Sequence, residues 1–170
     1  MITTQQSATT SITEDPSVAP RMTLRWDPHL RSLLPPFYLK HGLGEKHMEA
    51  VYLVCHHLYA QRKYEEAYPL FQMMAFLDCY DKRAWLGVAA CAEAMKLFSK
   101  AAGCYQIVAI LDESDPISLL RSFNCYLECK KEKEAMMMLE TALHRAEEQK
   151  ERYSHLNDQI IKLKENLLSS

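Results

Sequence analysis

Apolar residues recur along most of this chain at the spacing of helices that bury one side. Between residues 45 and 60, Met48, Val51, Cys55 and Leu58 repeat at intervals of three and four, the stripe of an amphipathic helix. Tyr52, His56 and Tyr59 form a second stripe beside it. The next stretch, YEEAYPLFQMMAFLDCYD from Tyr64, returns 34 positions later as FSKAAGCYQIVAILDESD from Phe98, without a gap. Tyr64 falls on Phe98, Ala67 on Ala101, Phe71 on Tyr105, Gln72 on Gln106, Leu77 on Leu111, Asp78 on Asp112 and Asp81 on Asp115. Another step of 34 sets Ala135 on Ala101, Leu139 on Tyr105 and Ala142 on Val108, a weaker third copy.

A self-match at this period is the signature of tetratricopeptide repeats, each a helix A, a tight turn and a helix B. Ala67, Ala101 and Ala135 are small where two helices of a hairpin cross closely. Phe71, Tyr105 and Leu139, one turn on, fill the space between them. Helix A needs a small residue too; Cys55 and Ala89 supply it and Phe123 does not. Asp81 and Asp115 are suited to cap the following helices, with Pro116 in a first turn. Arg62, Lys96 and Lys130 recur at the turns, where such repeats usually carry glycine, and are read as basic residues favouring a helix C-terminus. The expected fold is therefore all-α, with three tandem repeats over about 48–81, 82–115 and 116–146 in a unit spanning 45–146.

Two flanking segments differ. Residues 1–22 are rich in Thr and Ser and are expected to be disordered. Residues 23–44 carry Trp26, Leu30, Leu33, Leu34, Phe37 and Tyr38 around a Pro35–Pro36 break; this short helical, apolar segment caps the first repeat or contacts another subunit, and the oligomer contact is the reading preferred. Residues 147–170 form a charged helix with Leu156, Ile160, Leu163 and Leu167 spaced as a seam. Two heptads make a cap for the last repeat rather than an independent coiled coil.

Composition narrows the chemistry. The net charge of −2 argues against a nucleic-acid or anionic-membrane surface. No segment is apolar for the length of a membrane span, and no basic start leads into an apolar run. The six cysteines fall mostly on helices and read as reduced thiols. No phosphate-gripping glycine loop, nucleophile elbow or zincin motif is present, so neither catalysis nor a cofactor is expected. Cys125 and Cys129 lie one turn apart but no second ligand pair follows at zinc spacing, so no metal site is expected. The Met136–Met138 run spreads around a helix and reads as packing.

What remains is binding. Stacked A helices form a concave groove. Counting positions 2, 5, 9 and 12 of each gives Glu49, Tyr52, His56 and Tyr59, then Arg83, Leu86, Ala90 and Glu93, then Ile117, Leu120, Asn124 and Leu127. This surface is aromatic, aliphatic and nearly neutral, suited to an extended apolar peptide.

The F-Q-x-x-x-x-L-D-x-Y-D block from Phe71 to Asp81 and the L-G-x-x-A-C block from Leu86 to Cys91 resemble the tetratricopeptide class II chaperones of bacterial type III secretion, which hold pore-forming translocators. The resemblance runs from Met48 to about Ala146. It implies a non-enzymatic, ATP-independent chaperone of the bacterial cytoplasm, a homodimer when free of client, with a proline-containing client segment in the groove. By position it adds Tyr64 and Tyr105 to Tyr52 and Tyr59 as aromatic pocket residues. The chain departs from the family in carrying Arg62 and Lys96 where glycine is usual. A chaperone of a needle or filament subunit, or a scaffold joining two folded partners, are alternative readings.

Overall fold

A computed structural model describes residues 36–40 and 42–168. The expected disordered tail and the candidate contact residues Trp26, Leu30, Leu33 and Leu34 lie outside the described residues, as does the side chain of Tyr38. After a single helical turn, Phe37–Lys40, seven helices follow: α1 Glu45–Ala60, α2 Tyr64–Leu77, α3 Lys82–Ala94, α4 Phe98–Leu111, α5 Ile117–Glu128, α6 Glu132–Glu148 and α7 Lys150–Leu168. Every described element is helical, and each of the seven helices packs on the next. The pairs α1/α2, α3/α4 and α5/α6 are the three A/B hairpins, and their B helices begin at Tyr64, Phe98 and Glu132, 34 residues apart.

The small positions do what their size allows. Ala67, Ala101 and Ala135 are fully buried, with Phe71, Tyr105 and Leu139 buried a turn further on. In α5 the close approach shifts by one residue. Phe123 fills the core, while Ser122, also buried, lets the chains meet and donates its hydroxyl to the Ala102 carbonyl at 3.1 Å. Gly87 in α3 has a comparable cause: an ideal Cβ there would lie 2.6 Å from Cγ of the Phe71 ring, so the ring packs on bare backbone.

The turns explain Arg62, Lys96 and Lys130. Each sits just past a helix end with φ of 59°, 60° and 56°, the left-handed region where glycine is unstrained. At the first turn Lys63 N–H donates to Leu58 O and Arg62 N–H to Tyr59 O. The same pair recurs as Leu97 to Ala92 with Lys96 to Glu93, and as Lys131 to Tyr126 with Lys130 to Leu127. These are three Schellman closures, which satisfy the last carbonyls of α1, α3 and α5. The basic residues thus occupy a backbone-determined position beyond the helix, not the last turn assumed from charge alone.

Between hairpins, Asp81 and Asp115 accept the backbone N–H groups of Arg83 and Ile117 at 2.9 and 2.8 Å, capping α3 and α5. Pro116, between Asp115 and Ile117, has helical φ and ψ of −79° and −17°, and its carbonyl accepts from Leu120 N–H at 3.1 Å, an entry position where a missing N–H costs nothing. Arg145 of α6 donates to the carbonyls of Ala109, at 2.7 Å, and of Asp112 and Asp115, tying the third hairpin to the end of α4. Helix α7, kinked at Tyr153, buries Ile160 against the core that includes Leu139, Ala142 and Ala146, while Leu163 and Leu167 remain partly exposed.

Candidate functional site

Helices α1, α3 and α5 lie side by side, and side chains from one reach the next. Arg83 of α3 pairs with Glu49 of α1 at 2.8 Å and with Asp81 at 3.1 Å, and its guanidinium stands 4.6 Å over the ring of Tyr52. Those hydrogen bonds, Asp81 first and Glu49 second, raise the Arg83 pKa further, so its charge is fixed. Tyr52 is half-buried, in an edge contact with Phe71 at 6.4 Å and tilted against His56 at 6.0 Å between centroids. Two turns on from Tyr52, Tyr59 stands edge-on to Tyr64 at 5.3 Å, linking α1 to the start of α2. Burial is the main reason the Tyr59 hydroxyl is raised above its ordinary pKa.

Further along the same face, Glu93 of α3 accepts from the Tyr105 hydroxyl at 2.5 Å and pairs with Arg121 of α5 at 3.2 Å. The charges of the groove are therefore matched within it: Arg83 against Glu49 and Asp81, Arg121 against Glu93. Apolar side chains stand open between them, with Leu86 43% and Ile117 51% exposed. Leu127 is also exposed, Leu120 and Ala90 are half-buried, and Asn124 and His56 reach solvent. The arrangement offers apolar and aromatic contact area at low net charge.

No family model matches the chain. Low calcium response locus protein H of Yersinia pestis is 35% identical over 81 residues, 48% of this chain and 48% of that relative. The translocator chaperone SycD of Yersinia enterocolitica, solved in complex with a peptide of the translocator YopD, is 30% identical with a TM-score of 0.57, over 72% of this chain and 97% of SycD. The chain belongs to the type III secretion translocator chaperones. A further member, PcrH in complex with the chaperone binding region of PopB, is 27% identical with a TM-score of 0.62, over 70% of this chain and 95% of PcrH. The match spans about half the length of the curated Yersinia relative.

One residue expected to line the groove has its ring elsewhere. Tyr105, expected to line an aromatic pocket, is only 2% exposed. Its ring occupies the helix-B core position equivalent to Phe71, and only its hydroxyl emerges to meet Glu93. Burial first and Glu93 second push that hydroxyl far above its usual pKa, so it stays a donor. Arg121 was missed because a count of every third or fourth position in α5 steps over it; its spacing from Glu93 is visible only once the two helices are adjacent.

The remaining chemistry is quiet. Burial pushes the Cys91 and Cys125 thiols up to about 11, which keeps them protonated. Cys55 lies in the core with its thiol 3.8 Å from the Met74 sulfur. Among the described residues no three His, Cys, Asp or Glu side chains converge as metal ligands, and no helix is long and apolar enough to cross a membrane.

Proposed function

We propose that this chain is a cytoplasmic, non-enzymatic chaperone that holds an extended apolar segment of a type III secretion translocator in the α1/α3/α5 groove, keeping the client soluble until export. The observation that carries this reading is the open apolar row of Leu86, Ile117 and Leu127, continued by half-buried Tyr52, between charges already paired with each other. A segment entering this groove desolvates apolar surface without breaking a demand for counter-charge, the condition under which aromatic anchors dominate affinity. The SycD–YopD peptide and PcrH–PopB complexes support a translocator segment as the occupant, and the SycD alternative dimer supports a client-free homodimer.

Co-expression with translocator candidates, followed by affinity capture of the chaperone, tests the proposal. The expected result is a soluble 1:1 complex that Leu86→Asp abolishes. A client that stays insoluble beside wild-type chaperone, or a complex indifferent to Leu86→Asp, contradicts it. Capture of a needle or filament subunit instead would reassign the client.

A further inference from the structure

Two guanidinium groups stand in the groove, and they are used differently. Arg83 spends all three of its nitrogens: Nη1 donates to Glu49 at 2.8 Å, Nη2 to Asp81 at 3.1 Å and Nε to Asp81 at 3.2 Å. Arg121 spends one. Its Nη1 donates to the two oxygens of Glu93, at 3.2 and 3.5 Å, and among the described residues Nε and Nη2 have no acceptor. The Arg121 side chain is 55% exposed.

That free edge is held in place. The Tyr105 ring is buried, its hydroxyl donates to Glu93 at 2.5 Å, and Glu93 in turn holds Arg121. A donor whose position is already set loses little freedom on binding. The cluster also adjoins the aromatic pair at the end of α1. The Tyr59 hydroxyl, raised chiefly by burial, feels both charges, lowered by Arg121 and raised by Glu93.

An extended segment lying across α1, α3 and α5 brings main-chain carbonyls with it. The walls offer them little main chain, because helix N–H groups are spent inside the helices. A carbonyl desolvated without a donor costs more than its bond is worth when made. Nε and Nη2 form one edge of the guanidinium, and their hydrogens can converge on the two lone pairs of a single carbonyl oxygen. Glu93 already balances the Arg121 charge. A neutral carbonyl therefore suits this edge, whereas a carboxylate would meet the like charge of Glu93.

We propose that Arg121 donates through Nε and Nη2 to one main-chain carbonyl of the bound segment, and that this contact sets the register of the segment along the apolar row. The proposal rests on the α1/α3/α5 groove being the client site.

The test uses the full chain and, as probe, a fluorescein-labelled synthetic copy of the translocator segment that co-purifies with it. Anisotropy should give a Kd about tenfold weaker for Arg121→Met. Arg121→Lys keeps a charge beside Glu93, and thermal unfolding checks its fold; lacking the planar edge, it should also bind more weakly. Single oxygen-to-sulfur replacements along the probe's main chain each weaken one carbonyl as an acceptor and keep its N–H. One of them should weaken binding to wild type yet have no further effect on Arg121→Met, a coupling that locates the carbonyl. Wild-type affinity in both Arg121 variants, or no coupled position, overturns the proposal. Coupling to a carboxylate of the probe, found by exchanging each for its amide, overturns it in favour of an acidic side chain. If Leu86→Asp abolishes binding while the Arg121 variants bind as wild type, this contact alone fails. Indifference to Leu86→Asp as well removes the groove reading and this contact with it.

Discussion

Gly87→Ala isolates the packing that sets the groove floor. In an exposed helix interior this change stabilises by about 1 kcal/mol, because alanine is the better helix former. Here the added methyl would sit 2.6 Å from Cγ of Phe71, and nearer to Cδ1 and Cε1, against 3.4–4 Å for ordinary contact. The obstacle is the body of a ring only 3% exposed, not the free end of a flexible chain. The ring must therefore retreat by about 1 Å into a filled core, and overpacking of this kind costs about 1–3 kcal/mol. A clash this close with ring carbons belongs in the upper part of that range, about 2–3 kcal/mol. The two terms leave a net loss of about 1–2 kcal/mol, a fall in melting temperature of about 2–4 °C per kcal/mol for a chain of this length. Because Phe71 meets the edge of Tyr52, the displacement also disturbs the groove. Thermal unfolding by circular dichroism, run for Gly87→Ala, Phe71→Leu and the double variant, measures this. The double variant should be more stable than the sum of the single losses by about 0.5–3 kcal/mol, since the smaller side chain vacates the space. A Gly87→Ala protein as stable as wild type, or additive single effects, would refute the reasoning.

Other outcomes follow from the turns, helix α2 and the connector at Asp112. Lys96→Gly relieves a left-handed backbone and should stabilise by about 0.5–1 kcal/mol in chemical denaturation, whereas Lys96→Val should destabilise. Pro69 lies inside α2 and cannot donate to the carbonyl a turn earlier, so Pro69→Ala should raise the melting temperature, with a gain of about 1–3 kcal/mol. Burial alone would raise the Asp112 carboxyl, but hydrogen bonds from Lys82, at 2.7 Å, and Ser114 outweigh it and hold the pKa below its ordinary value. A depressed folded pKa gives stability that is present above about pH 4, the unfolded value, and is lost as pH falls through the folded one. Asp112→Asn should therefore cost up to about 1 kcal/mol at pH 7, in keeping with a partly exposed pair, and the difference from wild type should shrink in melts below about pH 4.

The repeat architecture was readable because its physical cause is local and periodic. Close helix crossings demand a small residue, and Ala67, Ala101 and Ala135 announce it every 34 positions. What escaped the sequence depends on relations the period does not encode. The switch from Phe123 to Ser122 at the third crossing is a one-residue shift in which face of α5 meets α4. The role of Lys96 follows from its backbone angle rather than its charge, and the absent glycine was the available clue. Tyr105 matches Phe71 at the repeat period, and the reading of both as filling the space between helices holds; the pocket role that the family resemblance implied for the Tyr105 ring does not. The pairing of Arg83 with Glu49 joins equivalent positions of successive A helices, and a sequence count could have found it by asking which charges sit 34 apart.

The central claim is that an extended client segment binds in the groove through side-chain burial, with Tyr52 as an anchor. Fluorescence anisotropy of a labelled translocator segment against wild type and Tyr52→Ala tests it most directly, with helix content checked in parallel. The account predicts a Kd at least about tenfold weaker for Tyr52→Ala, from the loss of about 1.4 kcal/mol or more expected of a buried aromatic anchor. It also predicts little change between low and moderate salt, because Arg83 and Arg121 are already paired inside the groove. Equal affinity for wild type and Tyr52→Ala, or binding abolished by moderate salt, would contradict it.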